Sequence, residues 1–249
     1  MAGDPYTELR MRLEAPSVQQ VGESPMRERP LLPAWMAGRW QCEQTLQRFT
    51  TPLGVQYIGA PGRPISEAEA SAAETRSQIG KPVSLELRFR AVPGGAVEER
   101  DYNARSRLDA FAGREVVRAS QTCAAAGVDS PGLDCTLVDF KGPVSQKQIV
   151  NSLRIALPPG EQPGFVSTDF TRAIFARKMV QGDTRNFPPI TTDAETIISL
   201  APEGAGAEVL RGKLRLVSYL QPYDPLYFAA GRAGVSISDY SLTLKRLAD

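Results

Sequence analysis

The sequence has 249 residues, no histidine, and 29 basic residues against 28 acidic ones, which gives a formal net charge of +1. This balance argues against nucleic-acid binding, which calls for a basic stripe and a high isoelectric point. The lack of histidine excludes histidine-based catalytic triads and histidine metal ligands. A chain of this length suits one large all-β domain or two small domains.

Signals for membrane insertion or secretion are missing from the sequence. No apolar run approaches the roughly 18 residues that indicate a transmembrane helix. The first twelve residues, MAGDPYTELRMR, lack the basic and the apolar regions of a signal peptide. We therefore expect either a cytosolic protein or a mature form whose targeting segment has been removed.

The first 33 residues differ in character from the rest of the chain. Residues 1–33 carry five prolines and few large apolar side chains, which predicts an extended arm with one helical turn near residues 7–13. From residue 34 onward an alternating pattern begins. In RWQCEQTL, Trp40, Cys42 and Leu46 share one face and polar residues the other. This period of two predicts a half-buried strand at the head of a domain spanning residues 34–249.

Two helices are predicted within that domain. The first covers SEAEASAAETRSQIG, with Ser66 as N-cap, Glu69 completing a capping box and Gly80 at the C-terminal end. Its apolar face is mostly alanine, so we expect it on the domain surface. The second covers NARSRLDAFAG, with Asn103 as N-cap and Gly113 ending it.

Short strands dominate the remainder. VSLELRFR is the clearest, with Val83, Leu85, Leu87 and Phe89 facing inward, and PGG then predicts a hairpin turn. Further strands are predicted at AVEERDY, REVVRASQT, CTLVDF, QIVNSLRIAL, FTRAIFARKM, AETIISLA, EVLRGKLRLVSYL and SISDYSLTLKR. About nine or ten sequential strands favour an all-β, antiparallel barrel or sandwich.

No catalytic set is evident. Acidic and basic residues are interleaved at one point, and we interpret them as a solvated hairpin edge because the arginines would keep the acids ionised. They are Glu98, Glu99, Arg100, Asp101, Arg105 and Arg107. Asp239 and Tyr240 are the best polar pair on the last strand. We expect no enzyme activity and no cofactor.

Three cysteines are present. Cys123 and Cys135 flank a turn-rich loop, and we favour a disulfide, which would stabilise the fold by roughly 3 kcal/mol and would indicate an oxidising compartment. The alternative is two reduced thiols. Cys42 faces inward and is interpreted as a small core residue.

The segment QPYDPLYFAAGR places three aromatic residues, Tyr223, Tyr227 and Phe228, in the turn before the last strand. Aromatic residues in a turn are candidate contacts for a protein partner. Alternatively, they plug the end of their own barrel.

The Gly-x-Trp at the head of the first strand, Gly38 and Trp40, resembles the signature of lipocalins and related calycin barrels. In that family the Trp packs across the barrel base, and an Arg from the last strand covers the indole. The resemblance implies this covering role for Arg246. Residues 54–80 likewise resemble the lid-like first loop of those barrels.

A second resemblance extends from residue 32 to residue 247. It rests on the strings EAEASAAETRSQIGKPV, NARSRLDAFAGREVV, FKGPVSQKQIV, PPITTDAETI and LRLVSYLQPYDPLYF, followed by VSISDYSLTLKR. These strings resemble a plastid and cyanobacterial family of lipocalin-like proteins that carries a domain of unknown function. The resemblance implies import into a chloroplast and residence in the thylakoid lumen.

The same resemblance implies a non-enzymatic auxiliary factor that binds photosystem II core subunits on the lumenal side during assembly or repair. It supplies no catalytic residues. The alternative is a carrier of a pigment, lipid or quinone inside the barrel, since an eight-stranded barrel can hold one small ligand. The inward residues distinguish the two: large ones such as Trp40, Leu85, Leu87 and Phe89 would fill a narrow barrel, whereas a carrier needs small inward residues at one end.

Overall fold

A single antiparallel sheet of ten strands forms the fold. The computed structural model describes residues 4–21, 30–59, 62–123, 134–160, 162–178, 188–204 and 207–248. The strands are β1 (Gly38–Thr50), β2 (Pro82–Val92), β3 (Gly95–Glu98), β4 (Val117–Thr122), β5 (Asp134–Phe140), β6 (Val144–Ala156), β7 (Phe165–Arg177), β8 (Ile190–Pro202), β9 (Val209–Tyr219) and β10 (Ser236–Arg246). The α-helices of the described residues are α1 (Pro5–Glu14), α2 (Ile65–Ser77), α3 (Arg100–Ala112) and α4 (Tyr227–Ala230).

The sheet curls into an incompletely closed barrel. The strands pair in the order β3-β2-β1-β10-β9-β8-β7-β6-β5-β4, and side chains from β1–β3 and β6–β10 line one common cavity. The end strands β3 and β4 are not neighbours in this order, and α3 contacts β2, β4 and β5 beside them. Helix α3 thus protects sheet edges that a closed barrel would pair. The predicted all-β, lipocalin-like antiparallel barrel is confirmed.

Alternating apolar residues build the inner layer as predicted. The hairpin turn after β2 is also confirmed, because β2 pairs with β3 directly across Pro93 and Gly94. The predicted inward residues that are buried include Trp40, Cys42, Leu46, Leu85, Leu87 and Phe89.

The predicted starts of the two helices within the barrel domain are wrong. Helix α2 begins after Pro64, with no side chain capping it, so Ser66 lies inside the first turn. Helix α3 begins at Arg100; Asn103 is fully buried within it, and its side-chain amide binds the backbone of Arg88 on β2. Asn103 therefore joins helix to sheet. The expected surface position of α2 is confirmed, because only two of its alanines are buried.

The N-terminal arm is not simply extended. Helix α1 spans ten residues where one turn is predicted, and Asp4 caps it by accepting hydrogen bonds from the backbone of Tyr6 and Thr7. Leu9 and Leu13, four residues apart on one face, pack against an apolar patch on the outside of β6–β8. Tertiary packing therefore stabilises a short helix that would be marginal alone. No helix in the described ranges is long and apolar enough to cross a membrane.

An ion pair fastens this helix to the outer face of the barrel. Glu195 on β8 is fully buried there and accepts two hydrogen bonds from the Arg12 guanidinium. It also accepts from the hydroxyls of Thr168 at 2.6 Å and Tyr219 at 2.7 Å. Burial raises the pKa of Tyr219, and the neighbouring Glu195 raises it further, so the phenol stays a donor. Helix α1 is therefore part of the outer layer of the barrel.

Candidate ligand-binding cavity

Buried side chains pack around Trp40 at one end of the barrel, and we call this end the floor. The Trp40 side chain is fully buried, and its indole donates a hydrogen bond to the Met36 carbonyl at 2.8 Å. The Arg246 guanidinium lies 4.3 Å from the centre of the indole ring and donates to the carbonyls of Ala37 and Trp35, each at 2.7 Å. A cation placed over an indole face in this way is attracted by the ring quadrupole.

Gly38 completes the floor. Its φ of +121° is one that other residues rarely adopt, and a Cβ there would lie only 2.7 Å from an Arg246 guanidinium nitrogen. The structure therefore brings together the three residues of the predicted signature, Gly38, Trp40 and Arg246.

Above this floor lies a cavity of about 550 Å³. Strands β7 and β8 line the cavity with small inward residues near one end of the strands. Near the other end, their inward residues are large and apolar. The small residues are Thr171, Ala173, Thr192, Ala194 and Thr196; the large ones include Phe165 on β7 and Leu200 on β8. The barrel is thus filled at the Trp40 end and hollow at the opposite end.

Helix α3 forms one wall of the cavity. Leu108 and Phe111 line it as apolar groups, and the Phe111 ring meets Tyr240 of β10 edge-on, with 6.4 Å between centroids. The same helix face carries Arg100 and Arg107 into the cavity.

A network of charges crosses the barrel interior from α3 to β7. Arg100 donates to Asp169 at 2.7 Å, and the Thr171 hydroxyl donates to the same carboxylate at 2.8 Å. Arg107 donates to Glu98 at 2.8 Å. Burial alone would raise the pKa of Glu98, but the charges of Arg107 and Arg100 lower it to about 2. Arginine partners therefore hold Glu98 as an anion, and Asp169 is paired with an arginine as well.

The interpretation of this segment as a solvated hairpin edge is wrong for Glu98, Arg100 and Arg107, which line the cavity, whereas Arg105 is exposed. Because α3 begins at Arg100 and lies against the opening of the sheet, its first turn faces the barrel interior and Glu98 with it. The cavity-lining residues of α3 follow a helical pattern that also extends to Arg100, N-terminal to the predicted helix start. Counted from Arg100, the offsets of 4, 7, 8 and 11 residues lead to Ala104, Arg107, Leu108 and Phe111. This spacing places all five residues on one helix face.

The side chains of Asp239 and Tyr240 do not lie together in one site. They lie on opposite faces of β10, as neighbours in a strand must. Tyr240 lines the cavity, whereas Asp239 binds Arg215 at 2.6 Å and Arg48 at 2.8 Å on the outer face.

Two of the three cysteines are bonded to each other, and the third, Cys42, lines the cavity. Cys123 and Cys135 are joined by a disulfide, with 5.3 Å between Cα atoms, next to the paired strands β4 and β5. Cys42 is free and buried, and burial raises the pKa of its thiol to about 11. The part of the chain that the structure describes contains no cluster of side chains suited to hold a metal ion.

The predicted aromatic turn lies at the end of the barrel opposite the Trp40 floor. Tyr223 is exposed and its hydroxyl donates to the Thr191 carbonyl at 2.8 Å. Phe228 is 87% exposed and touches Tyr227 edge-on. Because neither Tyr223 nor Phe228 lines the cavity, the interpretation of these two residues as a barrel plug is wrong.

The sequence matches a known protein family. Residues 31–248 match the family described as a domain of unknown function (DUF6816). No curated protein and no solved structure matches the chain.

Proposed function

This chain belongs to the DUF6816 family, and we propose that it is a carrier protein whose barrel binds one small hydrophobic or amphipathic molecule, such as a pigment, lipid or quinone. The single observation that carries this proposal is the cavity of about 550 Å³ above the Trp40 floor. Its volume lies within the range of roughly 300–1,000 Å³ that is usual for small-molecule sites.

The distribution of side chains supports a carrier. A barrel that only presents its outer wall needs large inward residues along its whole length. Here Ala173 and Ala194 are inward-facing at the hollow end, while Phe165 and Leu200 occupy the filled end. The apolar lining favours an apolar ligand body, because burying it removes hydrocarbon surface from water.

A fluorescence titration tests this proposal. N-phenyl-1-naphthylamine, whose emission rises in apolar surroundings, should bind the wild-type protein with one site per chain. Ala173→Phe projects a ring into the cavity and should weaken probe binding at least about tenfold, which corresponds to roughly 1.4 kcal/mol. Ala176→Phe is the matched control, because Ala176 is exposed on the same strand. Equal binding by both variants, or no saturable binding to the wild type, would contradict the carrier function.

A second candidate function is docking to a protein partner, and the exposure of Phe228 favours it. A large aromatic residue that is 87% exposed contributes little to folding and is a typical interface anchor. The resemblance described above implies photosystem II core subunits, on the lumenal side of the thylakoid, as that partner. The disulfide supports an oxidising compartment of this kind.

Purified photosystem II core complexes test the docking function directly. We expect the protein to bind these complexes, as measured by surface plasmon resonance with the complexes immobilised. Phe228→Ala should lose about 2 kcal/mol of binding free energy. Ala173→Phe should bind like wild type, since it alters only the cavity. Equal binding by Phe228→Ala and wild type would rule out Phe228 as the anchor, and absence of binding would reject this partner.

A further inference from the structure

We infer that the barrel selects an electrically neutral amphipathic ligand, with an apolar body and a hydroxyl or carbonyl group, over fatty acids and aliphatic amines. This inference rests on the proposed carrier function. It starts from the charges that line the cavity. Among the described lining residues, four are charged, namely Glu98, Arg100, Arg107 and Asp169, so the charges of the two signs cancel.

Each of these charges is already held by a partner inside the cavity. Arg100 and Asp169 pair at 2.7 Å, Arg107 and Glu98 at 2.8 Å, and Arg100 also lies 3.6 Å from Glu98. The four side chains are only 16–34% exposed. Ion pairs at this depth are coupled strongly, because little water screens them.

A charged ligand would have to break this balance. A fatty-acid carboxylate at Arg100 would either displace Asp169, which would then stay inside the barrel without its counter-ion, or add a third carboxylate beside Asp169 and Glu98 with no further arginine to balance it. Removing one partner of a buried ion pair is strongly unfavourable for this reason. An alkylamine is disfavoured for the corresponding reason, because its ammonium group would compete with Arg100 or Arg107 for a carboxylate.

A neutral polar group has partners that cost no ion pair. Gln146, Gln148, Thr192 and Thr196 line the same cavity. Amide and hydroxyl side chains offer both donors and acceptors, which suits a hydroxyl or carbonyl oxygen. The apolar body of the ligand would then lie against Phe89, Phe165 and Leu200, which line the part of the cavity nearest Trp40.

Three ligands of equal chain length test this selection. Dodecanol, dodecanoate and dodecylamine are used to displace N-phenyl-1-naphthylamine from the wild-type protein near pH 8. We expect dodecanol to displace the probe at a concentration at least about tenfold lower than either charged ligand. If dodecanoate or dodecylamine binds as tightly as dodecanol, the inference is wrong and the carrier function stands. If the probe itself does not bind, the carrier function fails.

A substitution in the cavity provides the positive test. Asp169→Asn removes the nearer of the two carboxylates that pair with Arg100 and should raise dodecanoate affinity about tenfold or more, with dodecanol affinity nearly unchanged. Asp239→Asn is the matched control, because Asp239 binds Arg215 on the outer face. Glu98→Gln, which releases Arg107, repeats the test should Asp169→Asn fail to fold. Unchanged dodecanoate affinity in a folded variant that still binds dodecanol would overturn the inference.

Discussion

The guanidinium of Arg246 lies 4.3 Å from the centre of the Trp40 ring, and the two residues are direct partners in the register of β1 and β10. Arg246 also donates to the carbonyls of Trp35 and Ala37. The last strand thus ties down both the indole and the backbone that enters the first strand. This contact joins the two ends of the domain and defines which end of the barrel is closed.

Gly38→Ala tests this closure. At φ +121° a Cβ is strained, and here it would also lie 2.7 Å from an Arg246 nitrogen. We expect a loss of about 2 kcal/mol in the free energy of unfolding, from strain and from displacement of Arg246, measured by urea denaturation. Gly142→Ala is the control, because its added Cβ meets nothing within 4 Å. Equal stability of the two variants would contradict this account of the floor.

The strands were predictable because half-buried strands alternate visibly. On β2 the buried residues are Leu85, Leu87 and Phe89, so apolar residues alternate with polar ones along the sequence. The start of α3 was not predictable in the same way. Asn103 has the chemistry of an N-cap, but its amide binds the backbone of Arg88, which lies on another element. Such a tertiary contact has no local signature.

The candidate site was predictable only in part. The helix face of Arg100, Arg107 and Phe111 could be found from spacing alone once the helix start was correct. Asp169 could not, because it lies 69 residues from Arg100 along the chain and meets it only when the sheet curls. The cavity likewise depends on barrel closure, since Ala173 and Ala194 come from different strands.

Arg12→Ala should detach the N-terminal helix from the barrel. It leaves the fully buried Glu195 without its cationic partner, and removal of one partner of a buried pair costs about 3–5 kcal/mol. Urea denaturation measures the loss. Arg10→Ala on the same helix is the control, because Arg10 is exposed and its pairing with Glu14 is weak.

A double-mutant cycle makes this prediction specific. Glu195→Gln removes the buried charge, so the Arg12→Ala/Glu195→Gln variant should regain part of the stability that Arg12→Ala loses. If Arg12→Ala were no less stable than Arg10→Ala, the ion pair would not be what fastens the N-terminal segment.

Removal of the Cys123–Cys135 disulfide should lower stability. The bond closes a loop with a sequence separation of 12, which corresponds to about 3 kcal/mol in the chain-entropy account. Cys123→Ser/Cys135→Ser should therefore unfold at lower urea than the oxidised wild type. Reductant should shift the wild type to the same midpoint and leave the double variant unchanged. A wild-type protein insensitive to reductant would show that the bond does not contribute.

The free energy of unfolding should depend on pH through the ionisation of Glu98. Its pKa falls from an ordinary value of 4.5 to about 2 in the folded protein, because Arg107 and Arg100 favour its charged form over the opposing effect of burial. A folded pKa below the unfolded one means that this stabilisation is complete above about pH 4.5 and is lost as the pH falls towards 2. At about 1.4 kcal/mol per pKa unit, the contribution at neutral pH is roughly 3 kcal/mol.

Glu98→Gln isolates that contribution. Relative to wild type, it should be destabilised by roughly 3 kcal/mol at neutral pH, and this difference should shrink to less than half by about pH 3. Urea denaturation at a series of pH values measures the difference, and Glu69→Gln, at an exposed position on α2, controls for the substitution itself. A difference that stays constant as the pH falls would mean that Glu98 stabilises the barrel by shape and hydrogen bonding. A difference that closes would show that the ion pairs of Glu98 within the cavity also hold α3 against β3.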